Sequence, residues 1–218
     1  MGLATERVRA LLFDWDGTLV DSFAPGYAAF AQVFAKFKVD FDRSRFFEHY
    51  SPNWYLFYER MGLASMHWEE ADLLWRSLYD QSTPSLVPGA FEVLQALDRR
   101  GYGLGVVTSG HQRRVERELI HNAVQDCFDV FVYGDQVESK KPAPEALFRA
   151  AASLRTPPQH CVYVGDAPED MEMGRRAGAQ TVAVYSSYVR DLEALSLQAD
   201  HTLRSISEMA ELFATSNP

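Results

Sequence analysis

Residues 11–22 read Leu-Leu-Phe-Asp-Trp-Asp-Gly-Thr-Leu-Val-Asp-Ser, and this stretch decides the fold. A short apolar run, formed by Val8 and residues 10–13, leads into two aspartates, Asp14 and Asp16, and a glycine then breaks the pattern. An apolar run of this length that ends near glycine is typical of a buried strand. The sequence therefore predicts a strand that carries two carboxylates at its carboxyl end.

Two carboxylates at the end of one strand repel each other unless a cation or a proton separates them. A bound Mg²⁺ is the simplest solution, with one carboxylate acting as a nucleophile and the other as a proton carrier. An ordinary turn is the alternative, because Asp-Gly pairs are common after strands. An EF-hand loop does not fit, since its glycine stands at the sixth place and Gly17 stands at the fourth.

Composition restricts the classes of function. The chain has 218 residues, 47% of them hydrophobic and 23% charged, with a net charge of −9. No basic stripe is present, so we expect no nucleic-acid partner, and any phosphate must be recognised locally. No apolar run approaches the roughly 18–20 residues of a membrane span, so we expect no membrane partner. The two cysteines, Cys127 and Cys161, are too few for a disulfide framework, which favours a cytoplasmic location.

Helical and strand patterns alternate after Gly89, which predicts right-handed crossovers and a parallel sheet with helices on both faces. The predicted helices are Ala90–Arg100, His111–His121, Ala143–Leu154 and Glu169–Ala177. The predicted strands after the first are Leu104–Val107, Val130–Tyr133, Cys161–Val164 and Thr181–Tyr185.

Residues 22–82 differ from the rest of the chain. They are rich in aromatic residues and show helical spacing without a convincing strand. We therefore predict a helical cap at 22–82, inserted into an α/β core formed by 1–21 and 83–218. The apolar positions expected to form the core of the cap are Phe30, Val33, Phe34 and Phe37, then Trp54, Phe57 and Tyr58, then Leu73, Leu74 and Leu78.

Three more polar segments follow predicted core strands or precede core helices: Thr108–Gly110, Lys140–Pro142 and Gly165–Asp170. A hydroxyl followed by free amides can hold phosphate oxygens, a lysine can supply a fixed positive charge, and Asp166 and Asp170 could face one metal ion. Each segment also has an ordinary reading: a helix N-cap, a solvated lysine pair, and aspartates in a turn and a first helical turn.

The order of these segments favours phosphoryl transfer. They meet at one edge of a parallel sheet and supply carboxylates for a cation, a hydroxyl donor and a lysine, which is the set that stabilises a transferring phosphoryl group. Asp14-Trp15-Asp16-Gly17-Thr18, Thr108, Lys141-Pro142 and Gly165-Asp166 with Asp170 resemble the four motifs of the haloacid dehalogenase superfamily. The insertion resembles the helical cap of its phosphoglycolate phosphatase and beta-phosphoglucomutase branch. The resemblance implies a Rossmann-like core with a small helical cap.

The resemblance also implies roles for the acidic residues. Asp14 is expected to attack phosphorus and become an aspartyl phosphate, and Asp16 to protonate the leaving oxygen and then deprotonate water. Mg²⁺ is expected to be bound by the carboxylate of Asp14, the backbone carbonyl of Asp16 and Asp166. Asp170 is expected to bind the metal through water or to orient Lys141.

Phosphate and leaving-group contacts are expected from other residues. Thr108 and the amides of Ser109 and Gly110 are expected to hold phosphate oxygens. In the cap, the turn at Asn53 and Trp54 is the segment that we expect to reach the substrate, although Asn53 as a helix cap and Trp54 as a cap-core residue fit the sequence equally well.

The resemblance therefore implies a monomeric, Mg²⁺-dependent phosphatase of a small phosphorylated metabolite, with phosphoglycolate as the nearest substrate type. A phosphohexomutase of the beta-phosphoglucomutase type and an inorganic pyrophosphatase stay open as alternatives. A phospho-acceptor signalling module is a remote third, because such a module has no need of Asp16 or a helical cap.

Overall fold

The computed structural model describes residues 3–189, 191–214 and 218. Its strands are β1 (Ala10–Phe13), β2 (Gly103–Val107), β3 (Val130–Val132), β4 (Cys161–Gly165), β5 (Gln180–Val184) and β6 (His201–Leu203). Its α-helices are α1 (Phe23–Lys36), α2 (Arg43–His49), α3 (Trp54–Arg60), α4 (Trp68–Tyr79), α5 (Ala90–Arg99), α6 (Gln112–His121), α7 (Glu145–Ser153), α8 (Pro168–Ala177), α9 (Leu192–Ser196) and α10 (Met209–Leu212). None of the helices in these ranges is both long and apolar enough to cross a membrane.

The strands form one parallel sheet in the order β3-β2-β1-β4-β5-β6. β1 lies in the middle, and every residue from Ala10 to Phe13 is buried because helices cover both faces of the sheet. The predicted parallel α/β core is therefore confirmed. β6 was not predicted, because only Leu203 of its three residues is buried and the strand has no apolar run.

Most boundaries agree with the prediction to within one or two residues. α7 begins at Glu145 instead of Ala143, because Ala143 precedes Pro144 and the residue before a proline is disfavoured in the helical conformation. α8 begins at Pro168, where the missing amide costs no hydrogen bond, and ends before Gly178, whose φ of +80° reverses the chain toward β5.

The segment between β1 and α5 contains α1–α4 around an aromatic cluster of its own. Phe30, Phe34 and Phe57 are buried there, as predicted. The predicted contribution of Leu73 is wrong, because 54% of this residue is exposed. The buried face of α4 is formed by Ala71, Asp72, Trp75 and Tyr79, and the predicted Leu74 and Leu78 are partly buried against the same cluster.

Two chain segments run side by side where the helical segment joins the sheet. Val20 and Leu86 form an antiparallel bridge, and the side chain of Asn122 accepts a hydrogen bond from the amide of Leu86 and donates one to the carbonyl of Pro84. Passage of the chain between the sheet and the helical segment at these points agrees with a core of 1–21 and 83–218 and a cap of 22–82. This division of the chain into two domains stays a prediction.

We expect Gly105→Ala to destabilise the fold by about 1–3 kcal/mol, because a Cβ atom on Gly105 would lie 2.5 Å from Val130 Cγ1 and 2.7 Å from Leu12 Cδ2. Gly103→Ala in the same strand is the matched control, since its Cβ would meet nothing nearer than 3.5 Å. Urea unfolding of both variants measures the difference. Equal stability of the two variants would contradict the packing described for β2.

Candidate active site

Polar side chains collect where the central strands end. Asp14 follows β1, Thr108 follows β2 and Asp166 is the first residue after β4, so the sheet places all three at one edge. β1 lies between β2 and β4, where the strand order reverses, and such reversals form ligand-binding crevices in α/β sheets. Lys141, just before α7, reaches the same edge.

Lys141 lies at the centre of this group. Its Nζ donates hydrogen bonds to Asp14 Oδ1 and Asp170 Oδ1, both at 2.8 Å. One carboxylate oxygen each from Asp14, Asp166 and Asp170 lie within 4.8 Å of one another, and all three residues are buried. Asp170 sits on the first turn of α8, where its other oxygen accepts the backbone amides of Asp166 and Ala167.

The charges of this group are unbalanced. Burial raises the pKa of Asp14 to about 7, even though Lys141 lowers it. Burial, followed by the charges of Asp14 and Asp170, raises the pKa of Asp166 well above its ordinary value. Burial alone would lower the pKa of Lys141, but Asp14 and Asp170 outweigh it and raise that pKa. Three buried carboxylates around one lysine therefore favour a further positive charge or a proton.

The residues fit a magnesium ion. Mg²⁺ prefers oxygen ligands, usually one or two carboxylates together with water and substrate phosphates. Asp14 and Asp166 offer such oxygens toward a cavity that both residues line. Asp170 was expected either to bind through water or to orient Lys141, and its hydrogen bond to Lys141 fits the second role.

Asp166 is supported by one residue outside the predicted motifs and by two residues of the first motif. Ser186, two residues after β5, donates a hydrogen bond to Asp166 Oδ2, and Thr18 Oγ1 lies 3.4 Å from Oδ1. Gly17 has a φ of +79° and no room for a Cβ atom beside the Asp166 carboxylate. These contacts orient the carboxylate, although Ala167 next to it carries no hydroxyl.

Asp16 is held apart from the other aspartates. Its side chain lines the cavity, but both of its carboxylate oxygens accept hydrogen bonds from Arg114 on α6. The group of mutually close carboxylates comprises Asp14, Asp166 and Asp170, so the side chain of Asp16 is outside it. This placement agrees with the expectation that Asp16 offers a metal only its backbone carbonyl.

The turn after β2 lies beside the aspartates. Thr108, Ser109 and Gly110 all line the cavity, and Thr108 is buried. Thr108 Oγ1 accepts a hydrogen bond from the amide of Gly110 at 3.0 Å, so that amide serves the turn itself. In this bond the Thr108 hydroxyl is the acceptor, so its own proton can be donated elsewhere, and the predicted phosphate contacts of Thr108, Ser109 and Gly110 stay predictions.

The helical segment closes the cavity, which has a volume of about 540 Å³. Trp54 lines the cavity and also packs on Trp75, with ring centroids 4.2 Å apart, and its predicted contact with the substrate stays a prediction. Asn53 precedes α3 but its side chain makes no capping hydrogen bond, and it is not among the described lining residues. A hydrogen bond of 2.7 Å, which the Ser51 hydroxyl donates to Glu169 on α8, joins the helical segment to the sheet side of the cavity.

Sequence reasoning missed several residues of this site. Tyr188 lines the cavity from the loop after β5 and stacks on Tyr50 of the helical segment, with ring centroids 5.1 Å apart. Arg60 lines the cavity from the end of α3. A polar segment after a fifth core strand is a usable signal for Ser186 and Tyr188, whereas nothing in the pattern of α3 distinguishes Arg60 from a solvated arginine.

Comparison with known proteins agrees with this geometry. The family model described as "Haloacid dehalogenase-like hydrolase" matches residues 11–184. The chain belongs to this family. It is 31% identical to validoxylamine A 7'-phosphate phosphatase of Streptomyces hygroscopicus subsp. limoneus, over 92% of this chain and 95% of the relative. It is 26% identical to pyrophosphatase PpaX of Bacillus mycoides (strain KBAB4), over 97% and 99%.

The solved structures include CbbY of Rhodobacter sphaeroides in complex with phosphate. It is similar to this chain with a TM-score of 0.76 and 25% identity, over 93% of this chain and 96% of CbbY. The predicted superfamily is thus confirmed, and the names of these relatives support the predicted phosphatase class.

We expect Mg²⁺ to raise the melting temperature more at about pH 8 than at about pH 5.5. Between its ordinary pKa of 3.8 and about 7, Asp14 keeps a proton in the folded protein that the unfolded chain has released. The stability of the metal-free protein therefore falls as pH rises through this interval, and a cation reverses the loss. Thermal melts with Mg²⁺ or EDTA test this.

Asp14→Asn is the control for this experiment, because it removes the titrating carboxylate and should reduce both the pH dependence and the response to Mg²⁺. A rise in melting temperature that is the same at both pH values would contradict the assignment of the aspartate group as a metal site.

Proposed function

We propose that this protein is a Mg²⁺-dependent phosphatase that hydrolyses a small phosphorylated metabolite through an aspartyl phosphate on Asp14. The observation that carries the proposal is the hydrogen-bonded bridge from Lys141 to Asp14 and Asp170, beside Asp166 and at the base of the cavity. A lysine that fixes a buried carboxylate at a cavity floor leaves the second oxygen of that carboxylate available for attack. The family assignment supports the same reaction class.

In the first half of the reaction, Asp14 attacks phosphorus and the bond to the leaving oxygen breaks. Thr108 and the adjoining amides hold non-bridging oxygens, and Lys141 stabilises the charge near Asp14. Asp16, which faces the cavity, gives a proton to the leaving oxygen. A bound Mg²⁺ would neutralise the negative charge between the phosphate and the aspartates.

In the second half, water attacks the phosphorus of the aspartyl phosphate. Asp16 has lost its proton and takes one from the water, so the same residue serves both halves. The bond between phosphorus and Asp14 breaks, and inorganic phosphate leaves. Closure of the helical segment over the sheet, as in the Ser51–Glu169 contact, would exclude bulk water from the intermediate.

The cavity favours a small substrate. Its volume of about 540 Å³ has room for a phosphate and a short organic group. Arg60 is the cationic side chain among the described lining residues, and it faces the cavity from the helical segment. A second anionic group on the substrate, such as the carboxylate of a phosphoglycolate-like ester, would suit that position. A cytoplasmic location and a monomeric state stay predictions from the sequence.

Inorganic pyrophosphate is the second candidate substrate. The observation in its favour is the similarity to pyrophosphatase PpaX along nearly the full length of both chains. The proposed chemistry is the same, since phosphate would take the place of the alcohol as leaving group.

We expect the wild-type protein to release phosphate from members of a panel of phosphorylated metabolites and pyrophosphate with Mg²⁺, and none with EDTA. Asp14→Asn should reduce release to background, because the nucleophile is removed. Asp21→Asn is the matched control, because this exposed aspartate does not line the cavity and its variant should keep activity.

Phosphate release by Asp14→Asn at the wild-type rate, or no release from any compound by the wild type, would overturn the proposed function. The best substrate of the panel decides between an organic phosphate ester and pyrophosphate.

A further inference from the structure

Arg114 makes an unusual contact for a surface helix. It lies near the start of α6 and is only 3% exposed. Its Nη1 donates to Asp16 Oδ1 at 2.9 Å and its Nη2 donates to Oδ2 at 2.5 Å. A guanidinium that donates to both oxygens fixes the plane of a carboxylate, which a single point charge cannot do.

Arg114 makes a second ion pair within its own helix. Glu118, one turn further along α6 and fully buried, accepts a hydrogen bond from Arg114 Nη1 at 3.2 Å. Glu118 also accepts a hydrogen bond from the indole of Trp15, whose Nε1 donates at 2.7 Å. Because Trp15 stands between Asp14 and Asp16, this network ties α6 to the catalytic turn itself.

The helical segment covers the guanidinium from the opposite side. The rings of Trp75 and Tyr79 on α4 lie 6.0 and 5.0 Å from the Arg114 guanidinium carbon and stack on each other. Cations near the faces of buried aromatic rings are attracted to them. The position of Arg114 therefore depends on residues from both sides of the cavity.

The turn after β2 leaves room for this arrangement. A Cβ atom on Gly110 would collide with Nη2 and the central guanidinium carbon of Arg114. The absence of a side chain at Gly110 thus lets the guanidinium reach Asp16. Arg114 itself is not among the described residues that line the cavity, and its contact with the site is through Asp16.

We propose that Arg114 is a positioning residue that holds the Asp16 carboxylate in place for proton transfer, and that Trp75 and Tyr79 make this positioning depend on the helical segment. The proposal rests on the proposed function, in which Asp16 moves the proton. It predicts that the proton-transfer role of Asp16 weakens when Arg114 is changed, while the nucleophile and the phosphate contacts stay intact.

Leaving-group dependence separates this role from a purely structural one. An alkyl phosphate must gain a proton on its leaving oxygen, whereas p-nitrophenolate leaves without one. Poor positioning of Asp16 therefore slows alkyl phosphates more than p-nitrophenyl phosphate. A variant that merely lowers the folded fraction slows both substrates by the same factor.

The experiment compares Arg114→Gln and Arg114→Lys with the wild type, using the best alkyl phosphate of the panel and p-nitrophenyl phosphate. We expect Arg114→Gln to lower kcat/KM, which reports the first half of the reaction alone, by about 10- to 100-fold for the alkyl phosphate, a part of the usual contribution of general acid–base catalysis, with a smaller loss for the aryl ester. Arg114→Lys should show the same larger loss for the alkyl phosphate. Lysine keeps the positive charge but lacks the planar guanidinium that donates to both carboxylate oxygens.

Controls are available within the same elements. Arg113→Gln removes an exposed neighbouring arginine and should leave both rates unchanged. Tyr79→Leu should reproduce part of the selective loss and Tyr79→Phe should not, because only the first removes the ring. If Arg114→Gln does not fold, the lysine variant carries the test.

Equal losses of kcat/KM for the two substrates in the Arg114 variants, or no loss, would overturn the positioning role while leaving the phosphatase assignment intact. Failure of the proposed function gives a different result. In that case the wild type would hydrolyse neither substrate, or Asp14→Asn would hydrolyse both. Either result would overturn the positioning role as well.

Discussion

The structure depends on one constraint, which is the burial of three carboxylates around a single lysine. Lys141 donates to Asp14 and Asp170 at 2.8 Å, and Asp166 lies close enough to share a ligand with them. Such a group is costly to bury unless it is paired and hydrogen-bonded. The parallel sheet, the first turn of α8 and the hydroxyl of Ser186 each supply part of that pairing, and the remaining negative charge makes the site fit a cation.

Much of this arrangement could be predicted from the sequence, because strand ends and short motifs follow local rules. Asp14, Lys141, Asp166 and Asp170 were expected to meet because the ends of parallel strands share one sheet edge. The contact between Lys141 and Asp170 was one of two roles expected for Asp170. β6 was missed, since a three-residue strand with one buried side chain has no periodic signal.

Contacts across the cavity could not be predicted, because they depend on how the helical segment packs on the sheet. Leu73 of α4 was expected inside, yet Trp75 and Tyr79 form the buried face of that helix, where they pack in the aromatic cluster and lie against Arg114 of α6. The pairing of Arg114 with Asp16 spans 98 positions and has no local pattern. Residues beyond the motifs thus join Asp16, the proposed proton carrier, to the helical segment, whereas the motifs themselves form the proposed metal and phosphate site.

The central claim is that Asp14 is the nucleophile, and trapping the covalent intermediate tests it most directly. The wild-type protein is quenched during turnover with Mg²⁺ and its best substrate, reduced with borohydride, digested and analysed by mass spectrometry. Reduction of an aspartyl phosphate converts that aspartate to homoserine. The account predicts homoserine at position 14. Homoserine at another aspartate, or none while phosphate is being released, would contradict it.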